Sequence, residues 1–513
     1  MIVRIQSAGV VGIEAMGVDV EVDGARTQGD PVFTTVGLPD KSVNESKERV
    51  RAAIDNSGYD FPLLRITVNL APADMKKEGP AYDLPMAVGL MAVNHQIDPN
   101  AVTRFAMVGE LALDGRIRRI SGALPIALAL RARHVKSLIV PEENAPEAAV
   151  VDGIEIIPVG HLREVVGFIN GTSPIEPFRV DLEKYFQEAE HPGLDFADVR
   201  GQESAKRALI IAAAGGHNVL MVGNPGVGKS MLSKRLPTVL PRMTLPEALE
   251  TTKIYSVAGM VTKDKPLITA RPFRSPHHTI SDAGIVGGGA NPRPGEISLS
   301  HNGVLFLDEF PEFNRKTLEV MRQPLEDGTV TISRAAGSLT FPAKLMLVAA
   351  MNPCPCGYLG HPSKPCNCTT RQIAQYRSKI SGPLLDRIDI HLEVPAVDLR
   401  ELSGERVGLS SADMLKQVQA ARDVQTRRFQ GAREGLHNNA GMNDKEVRKF
   451  ADLTPDVKSL LDGAMETLQL SARAYTRIRK IARTIADLEG ATRIGPDHIT
   501  EAIGYRTLDR GER

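Results

Sequence analysis

One eight-residue segment has the residue types and the spacing of a phosphate-binding loop. Residues 223–230 match G-x-x-x-x-G-K-[ST], and the apolar run 218–222 before them predicts the strand that such a loop must leave. Glycines let backbone N–H groups surround phosphates, Lys229 adds positive charge, and Ser230 offers a hydroxyl to Mg²⁺. The predicted nucleotide contacts are Gly223, Asn224, Pro225, Gly226, Val227, Gly228, Lys229, Ser230 and Met231, the last opening a helix. The segment predicts binding of a nucleoside triphosphate.

Two further apolar runs end in polar residues that suit the same chemistry. Residues 304–307 predict a buried parallel strand that delivers Asp308 and Glu309 to the carboxyl edge of a sheet. Behind a phosphate loop, Asp308 is expected to hold Mg²⁺ together with the loop serine, and Glu309 to polarise the attacking water. The run 345–350 leads to Asn352, which fits a residue that orients this water.

The elements that must position these residues divide the chain into four parts. Residues 1–170 mix β-like runs with helical stretches, an α+β pattern. Residues 171–195 are rich in proline and acidic residues, which is typical of a linker. Residues 196–400 are predicted to form the α/β nucleotide module, and residues 401–513 have helical periodicity with prolines at the predicted helix starts.

Composition narrows the classes of function. The chain has 513 residues, with 62 Lys and Arg against 62 Asp and Glu, so any nucleic-acid contact must come from local patches or a pore. Aromatic residues make up only 4% and tryptophan is absent, which argues against an aromatic stacking platform for single strands. The first residues lack a signal-peptide pattern, and no run of about eighteen apolar residues occurs. We therefore expect a soluble cytoplasmic protein with no membrane partner.

The order of the motifs describes an AAA+ ATPase with a helical lid. Over essentially its whole length the sequence resembles the magnesium-chelatase-like AAA+ ATPases of bacteria, and within them the ComM/YifB family. The stretches that carry the resemblance are 223–230, 274–279, 304–310, 352–357 and 381–389. The resemblance implies ATP and Mg²⁺ as cofactors and a homo-hexameric DNA motor that promotes branch migration in homologous recombination.

Two arginines acquire roles through this resemblance. Arg387, within 381–389, would be the finger that reaches the γ-phosphate of a neighbouring subunit, and Arg473 would be a second sensor in its own subunit. A finger supplied by a neighbour implies that the active site is complete only in a ring. The predicted catalytic residues are Lys229, Glu309, Asn352, Arg387 and Arg473.

Residues 1–170 resemble the Lon protease domain, an S5-like α+β fold. The resemblance rests on residues 78–81, 109–115 and 140–144. That family cleaves with a serine and a lysine, but the corresponding positions hold Ala81 and Leu124, which can act neither as nucleophile nor as base. A fold retained without its catalytic dyad suggests a binding or gating role.

All four cysteines lie in one insertion, residues 354–368. They are Cys354, Cys356, Cys366 and Cys368. Four thiolates close together in a cytoplasmic chain match a structural Zn²⁺ site, although C-x-C is tighter than the usual ligand spacing. Reduced free thiols are the alternative, and His361 and His301 are the histidines that would substitute as ligands.

The candidate DNA contacts lie on two insertions. Residues 329–341 predict a β-hairpin with Arg334 beside its turn. In related AAA+ rings a hairpin at this place projects into the central channel, where Arg334 would contact the phosphate backbone without reading sequence. The stretch 271–289 carries Arg271 and Arg274 and ends in a glycine run, but structural turns are an equal interpretation of it.

Three functions stay open at this stage. The first is an ATP-driven DNA motor, a branch-migrating helicase acting in recombination or natural transformation alongside recombination proteins. The second is a chelatase-type ATPase that remodels a protein partner without touching DNA. The third is a regulatory binding protein whose ATPase acts as a switch. The Lon-like domain and the cysteine insertion favour the first, through resemblance alone.

Overall fold

The chain divides by its internal contacts into two compact units. The computed structural model describes residues 1–26, 32–187, 193–289, 292–334, 337–395, 408–433, 435–506 and 508. Unit 1 comprises Met1–Glu188 and Thr244–Thr269, and unit 2 comprises Ala189–Met243 and Ala270–Arg513. Among the described helices, none is both long and apolar enough to cross a bilayer.

Unit 1 is built around a seven-stranded mixed sheet in the order β3-β4-β2-β1-β5-β8-β9. The strands of the unit are β1 (Ile2–Val11), β2 (Glu14–Ala25), β3 (Phe33–Val36), β4 (Arg65–Ala71), β5 (Phe105–Met107), β6 (Glu110–Leu111), β7 (Ile117–Arg118), β8 (Ser137–Pro141) and β9 (Glu155–Val159). Strand β2 pairs antiparallel with β1 and β4, whereas β1, β5, β8 and β9 run parallel. Along β2, buried Val18, Val20 and Val22 alternate with more exposed residues, as expected of a strand with one face on the core.

Two helices of unit 1, Asp83–Val93 and Ala123–Ala132, pack against β1 and β2 of this sheet. The helices of the unit are Lys41–Asn56, Asp83–Val93, Pro99–Val102, Ala123–Ala132, Ala145–Ala148, Leu162–Ile169, Leu182–Gln187 and Leu245–Val257. Every residue of Asp83–Val93 is buried, so this helix has no solvent face and forms part of the core. The mixture of strands and helices is the α+β pattern that the sequence indicates for residues 1–170.

One helix of unit 1 comes from far along the chain. Ser256, in helix Leu245–Val257, donates a hydrogen bond to Glu147, and Lys253 Nζ lies 2.6 Å from Glu14 Oε1. Burial raises the pKa of Glu147, while hydrogen bonds from Ser256 and from the Leu124 backbone oppose that shift. The sequence placed residues 244–269 inside the nucleotide module 196–400, whereas their contacts assign them to unit 1.

Unit 2 contains a parallel five-stranded sheet in the order β11-β14-β17-β10-β18. The strands of the unit are β10 (Val219–Val222), β11 (Phe273–Arg274), β12 (Gly287–Gly288), β13 (Arg293–Pro294), β14 (Val304–Leu307), β15 (Thr329–Arg334), β16 (Gly337–Pro342), β17 (Met346–Met351) and β18 (Ile390–Glu393). All residues of β10, β14 and β17 are buried, which is typical of parallel strands covered on both faces. Strands β15 and β16 form a separate antiparallel hairpin.

The helices of unit 2 fall into two groups. Those of the nucleotide module are Glu203–Gly215, Lys229–Arg235, Asp282–Val286, Glu296–Leu299, Arg315–Val320, Arg322–Asp327, Thr370–Arg377 and Gly382–Leu385. The C-terminal group is Ser411–Arg428, Asp444–Phe450, Pro455–Thr467, Ala472–Leu488 and Pro496–Gly504. Two of these helices begin at a proline, where a missing backbone N–H removes no hydrogen bond.

A buried polar network joins the sheet of unit 2 to its C-terminal helices. His217 Nδ1 lies 3.2 Å from Asp389 Oδ2, and His217 Nε2 lies 2.9 Å from Thr484 Oγ1. Arg477 forms an ion pair with Asp389 at 2.9 Å. Burial opposes ionisation of Asp389, but the charge of Arg477 and the hydrogen bond from His217 outweigh it and hold the pKa of Asp389 well below its usual range. Ionised Asp389 therefore fastens the C-terminal helices to the sheet.

Replacing Asp389 with asparagine should destabilise the protein. The change leaves Arg477 without its charge partner, and removing one member of a buried pair costs about 3 kcal/mol. Chemical denaturation measures the loss, and Asp456→Asn, on an exposed first helical turn, should cost less than about 1 kcal/mol. Because the pKa of Asp389 is lower in the folded state, its stabilisation is complete above about pH 4 and declines below it. Equal effects of the two variants would contradict this role for Asp389.

Candidate nucleotide-binding site

The phosphate-binding loop leaves the carboxyl end of β10 and ends where helix Lys229–Arg235 begins. The Gly223 N–H donates to the Met351 carbonyl, so the loop starts against the end of β17. A Cβ added at Gly223 would lie 2.5 Å from the Val394 carbonyl oxygen, so only glycine fits this close approach. Gly228 has φ of 92° and precedes the helix in the left-handed region that favours glycine. The backbone conformation of the loop therefore requires glycine at both Gly223 and Gly228.

Lys229 is buried and held by three acceptors. Its Nζ donates to the Gly223 carbonyl at 2.6 Å, the Asn224 carbonyl at 3.1 Å and Asn352 Oδ1 at 3.2 Å. Burial lowers the pKa of Lys229, and the carboxylate of Asp308 opposes that shift. The structure thus brings Lys229 and Asn352, which come from separate strand ends, into direct contact. The Lys229 ammonium thus lies against the backbone of a loop whose N–H groups are suited to phosphate.

Ser230 and Asp308 also meet at this edge. Ser230 Oγ donates to Asp308 Oδ2 at 2.6 Å. A hydroxyl and a carboxylate are ligands that Mg²⁺ accepts, usually together with water and phosphate oxygens. The pair therefore fits the magnesium role that the sequence assigned to these two residues.

Glu309 occupies a strained position next to Asp308. Its φ is 52°, in the left-handed region that costs a side-chain-bearing residue about 1 kcal/mol or more. Its carboxylate is half exposed, and Oε2 lies 3.1 Å from His278 Nδ1. The contact with His278 therefore fixes the position of the Glu309 carboxylate. His278 has no role predictable from sequence, because nothing local in the motif 274–279 links it to an acid further along the chain.

Two further residues touch the site without a sequence signal strong enough to single them out. Gln202 has φ of 58°, and its Nε2 donates to the Val227 carbonyl at 2.5 Å, inside the phosphate-binding loop. Tyr376 is buried beside Asn352. Burial raises the pKa of Tyr376 to about 12, against a hydrogen bond from the Asn352 backbone. Gln202 thus supports the phosphate-binding loop, and Tyr376 lies against the backbone of Asn352.

The two predicted arginines are each bound to a carboxylate. Arg387 forms an ion pair with Glu326, and its Nη1 donates to the Pro383 carbonyl at 2.6 Å. Arg473 Nη1 donates to Asp386 Oδ2 at 3.0 Å. Among the described residues, neither arginine contacts Lys229, Ser230 or Asp308. A finger that acts on a neighbouring subunit is expected to lie apart from its own phosphate loop, and the roles of both arginines stay predictions.

The predicted DNA contacts have different surroundings. Arg274 forms a bidentate pair with Glu296, at 2.6 and 2.7 Å, and Arg271 donates to the carbonyls of Pro241 and Asn302. These bonds favour the structural interpretation that the sequence left open for 271–289. The predicted hairpin is present as β15 and β16, while the side chain of Arg334 and its turn residues 335–336 lie outside the described part of the chain.

The structure brings all four cysteines together. Their sulfur atoms lie within 4.8 Å of one another, with Cys354 buried and the other three half-buried. The two histidines considered as substitutes are engaged elsewhere: His301 Nδ1 accepts from the Lys344 N–H, and His361 Nδ1 accepts from the N–H groups of Ser363 and Lys364. Within the described ranges, the candidate ligands of a metal at this cluster are therefore the four cysteines.

Comparisons with known proteins agree along the whole chain. Family models described as "Magnesium chelatase, subunit ChlI", "Subunit ChlI of Mg-chelatase" and "Magnesium chelatase, subunit ChlI C-terminal" match residues 195–402, 20–144 and 408–506. The chain is 43% identical to competence protein ComM of Haemophilus influenzae and 43% identical to protein YifB of Salmonella typhimurium. Each alignment covers 99% of this chain and 97% of the relative. The chain belongs to the ComM/YifB family of magnesium-chelatase-like AAA+ proteins.

More distant similarities reach other AAA+ proteins. A stretch of 181 residues is 27% identical to Lon protease 2 of Bacillus subtilis and covers 33% of this chain and 32% of that protein. A stretch of 344 residues is 25% identical to DNA replication licensing factor mcm7 of Schizosaccharomyces pombe and covers 61% of this chain and 40% of the relative. At the two positions that the sequence aligns with the Lon dyad, the Ala81 carbonyl accepts a hydrogen bond from the Gly109 N–H, and Leu124 is fully buried. The Lon-like arrangement of unit 1 stays a prediction.

Two substitutions in the site should separate nucleotide binding from hydrolysis. Lys229→Ala removes the ammonium predicted to bind the phosphates, so we expect it to abolish detectable ATP binding and hydrolysis. Glu309→Gln keeps the size of the side chain but removes the base, so hydrolysis should fall about 100-fold or more while ATP still binds. Binding of a fluorescent ATP analogue and steady-state phosphate release measure the two effects. A Lys229→Ala protein that hydrolyses ATP normally would contradict the site assignment.

Proposed function

We propose that this ComM/YifB protein is an ATP-hydrolysing hexameric motor that moves on DNA, as a branch-migrating helicase in homologous recombination and natural transformation. The proposed ATP hydrolysis is supported by two hydrogen bonds at one edge of the sheet, from Lys229 to Asn352 and from Ser230 to Asp308. This arrangement occurs in a chain whose family is AAA+. ATP and Mg²⁺ are the cofactors of the proposal, and its location is the cytoplasm.

The residues have distinct tasks in the proposed reaction. Ser230 and Asp308 hold Mg²⁺, Lys229 binds the phosphates, and Glu309 takes a proton from the attacking water. Asn352 orients that water beside the γ-phosphate. His278 positions Glu309, because its Nδ1 lies 3.1 Å from the Glu309 carboxylate. The loop backbone and the start of helix Lys229–Arg235 supply N–H groups for the phosphate oxygens.

Two arginines complete the proposed site. Arg387 reaches the γ-phosphate bound by a neighbouring subunit, and Arg473 acts on the nucleotide of its own subunit. The Arg387 guanidinium is paired with the Glu326 carboxylate. To bind the γ-phosphate in a neighbouring subunit, Arg387 therefore has to leave Glu326. Because each site then needs two chains, hydrolysis requires a ring.

Action on DNA is supported by the relatives and by the hairpin. One relative is named a competence protein and another a DNA replication licensing factor. The hairpin of β15 and β16 carries Arg334 at the end of its first strand, where the proposal places a contact with the phosphate backbone. Arg271 and Arg274 make a smaller contribution, since protein acceptors already bind them. Recombination proteins are the further partners that this role implies.

A second candidate function follows from the family models, which carry the name of magnesium chelatase. In that case the ring would remodel a protein partner without acting on DNA. ATP hydrolysis would then be insensitive to DNA, whereas the motor proposed above should hydrolyse faster in its presence.

Mixing two inactive variants tests the shared site. Arg387→Ala keeps its own nucleotide pocket, and Lys229→Ala keeps its finger, so each should be inactive alone. In randomly mixed rings, about a quarter of the interfaces join an intact pocket to an intact finger and should hydrolyse ATP. Phosphate release from the mixture, compared with each variant alone, measures this recovery. A mixture as inactive as its components, in rings shown to have exchanged subunits, would contradict a finger in trans.

Forked and four-way DNA should stimulate hydrolysis and be separated in an ATP-dependent reaction. Arg334→Ala should weaken DNA binding at every sequence and lower the salt slope by about one. Arg493→Ala removes the same charge from an exposed position elsewhere and should leave both quantities unchanged. Glu309→Gln serves as the inactive motor. Hydrolysis that no DNA changes, together with intact ATP binding, would favour the protein-remodelling function instead.

A further inference from the structure

The four cysteines have the spacing of a filled tetrahedral site. Cys354 Sγ lies 3.4 Å from Cys356 Sγ and 3.6 Å from Cys366 Sγ, and Cys356 and Cys366 are also 3.6 Å apart. Four sulfurs bound to Zn²⁺ at about 2.3 Å in a tetrahedron lie about 3.8 Å from one another. No disulfide joins the cysteines in the described ranges, so all four thiols are available as ligands. The C-x-C spacing that counted against zinc in the sequence does not prevent this geometry.

The segment between the two cysteine pairs is bound to the phosphate-binding loop. Asn224, the second residue of that loop, donates its Nδ2 to the Gly357 carbonyl at 2.6 Å and to the Leu359 carbonyl at 3.3 Å. The two acceptors are the first and third residues after Cys356. The Asn224 side chain is buried, so these carbonyls are the acceptors that satisfy its amide.

A second contact joins the same two segments. Gly357 has φ of 84°, and a Cβ there would lie 2.7 Å from Pro225 Cγ. The cysteine segment therefore lies against the loop at two consecutive residues, Asn224 and Pro225. On its other side it continues from Asn352, whose amide oxygen accepts from Lys229. A movement of the cysteine segment would therefore shift the backbone of the phosphate-binding loop and the contact between Asn352 and Lys229.

We propose that Cys354, Cys356, Cys366 and Cys368 bind one zinc ion, and that this ion holds the segment on which the phosphate-binding loop rests, so that nucleotide affinity depends on the metal. Nucleotide binding is part of the proposed function, and only this dependence rests on it. The zinc site rests on the four sulfurs.

The composition of the segment explains why it needs a metal. Between Cys356 and Cys366 it contains two glycines and two prolines, and most of its residues are half-buried or exposed. Such a segment buries too little apolar surface to hold one conformation by packing, whereas a closed four-cysteine zinc site contributes folding free energy directly. Loss of the ion frees the carbonyls of Gly357 and Leu359 to move, and Asn224 then loses its fixed acceptors. The loop has to be ordered again when nucleotide binds, which weakens binding.

Metal analysis of the purified full-length protein tests the site. We expect one zinc per chain, and thiols that react with a thiol reagent only after a strong chelator is added. Cys368→Ser should lose the zinc, while Ser363→Ala, in the same segment but not a ligand, should keep it. Substoichiometric zinc together with four freely reacting thiols would overturn the zinc proposal. The chelator arm uses the wild-type protein, so the result stands even where Cys368→Ser fails to fold.

Binding of a fluorescent ATP analogue tests the dependence. Removing zinc from the wild-type protein should weaken binding about three- to tenfold, and adding zinc back should restore it. Asn224→Ala should keep its zinc, bind the analogue about three- to tenfold more weakly, and no longer respond to removal of the metal. Equal affinity of the zinc-loaded and zinc-free wild type would overturn the dependence and leave the zinc site standing. A zinc-loaded protein that binds no nucleotide at all would instead defeat the proposed function.

Discussion

The parallel pairing of β17 between β10 and β14 is the constraint on which the rest of the site depends. In this register Val222 pairs with Met351 and Leu307 pairs with Ala349, so the three strands end at almost the same level. Each strand is followed by polar residues that a buried strand cannot carry. Because all three ends meet at one edge, residues far apart in sequence form one group of lysine, asparagine, serine and carboxylates. A shift of one residue in any of the strands would separate Lys229 from Asn352 or Ser230 from Asp308.

The part of the site that could be predicted consists of residues that belong to short, local sequence motifs. Residues 223–230, Asp308 and Glu309 follow apolar runs, and the rule that parallel strands end together places them correctly without a structure. The hairpin of β15 and β16 was visible for a similar reason, since alternation and turn residues are local signals. The clustering of the cysteines follows from their closeness in sequence.

What could not be predicted depends on contacts between distant segments. His278 pairs with Glu309 and Gln202 contacts Val227, yet neither partner is marked by spacing. Arg271 and Arg274 looked available as basic residues, whereas the fold gives each of them carbonyl or carboxylate acceptors. The helix Leu245–Val257 has ordinary helical periodicity, which reports a buried face but not the unit that buries it. Each of these contacts depends on which distant segment the fold brings close, and a single sequence does not record such pairings directly.

The assignment of residues 244–269 to unit 1 has a consequence for how the protein can be divided or exchanged between relatives. The chain leaves unit 1 near residue 188, enters unit 2, returns to unit 1 for one helix and then completes unit 2. A cut near residue 188 therefore produces two fragments that are both incomplete. The first lacks the hydroxyl of Ser256 that bonds to buried Glu147, and the second carries a helix whose partners are gone. Because the chain passes between the two units more than once, a gene fusion at a single point can neither add, remove nor replace one unit as a whole.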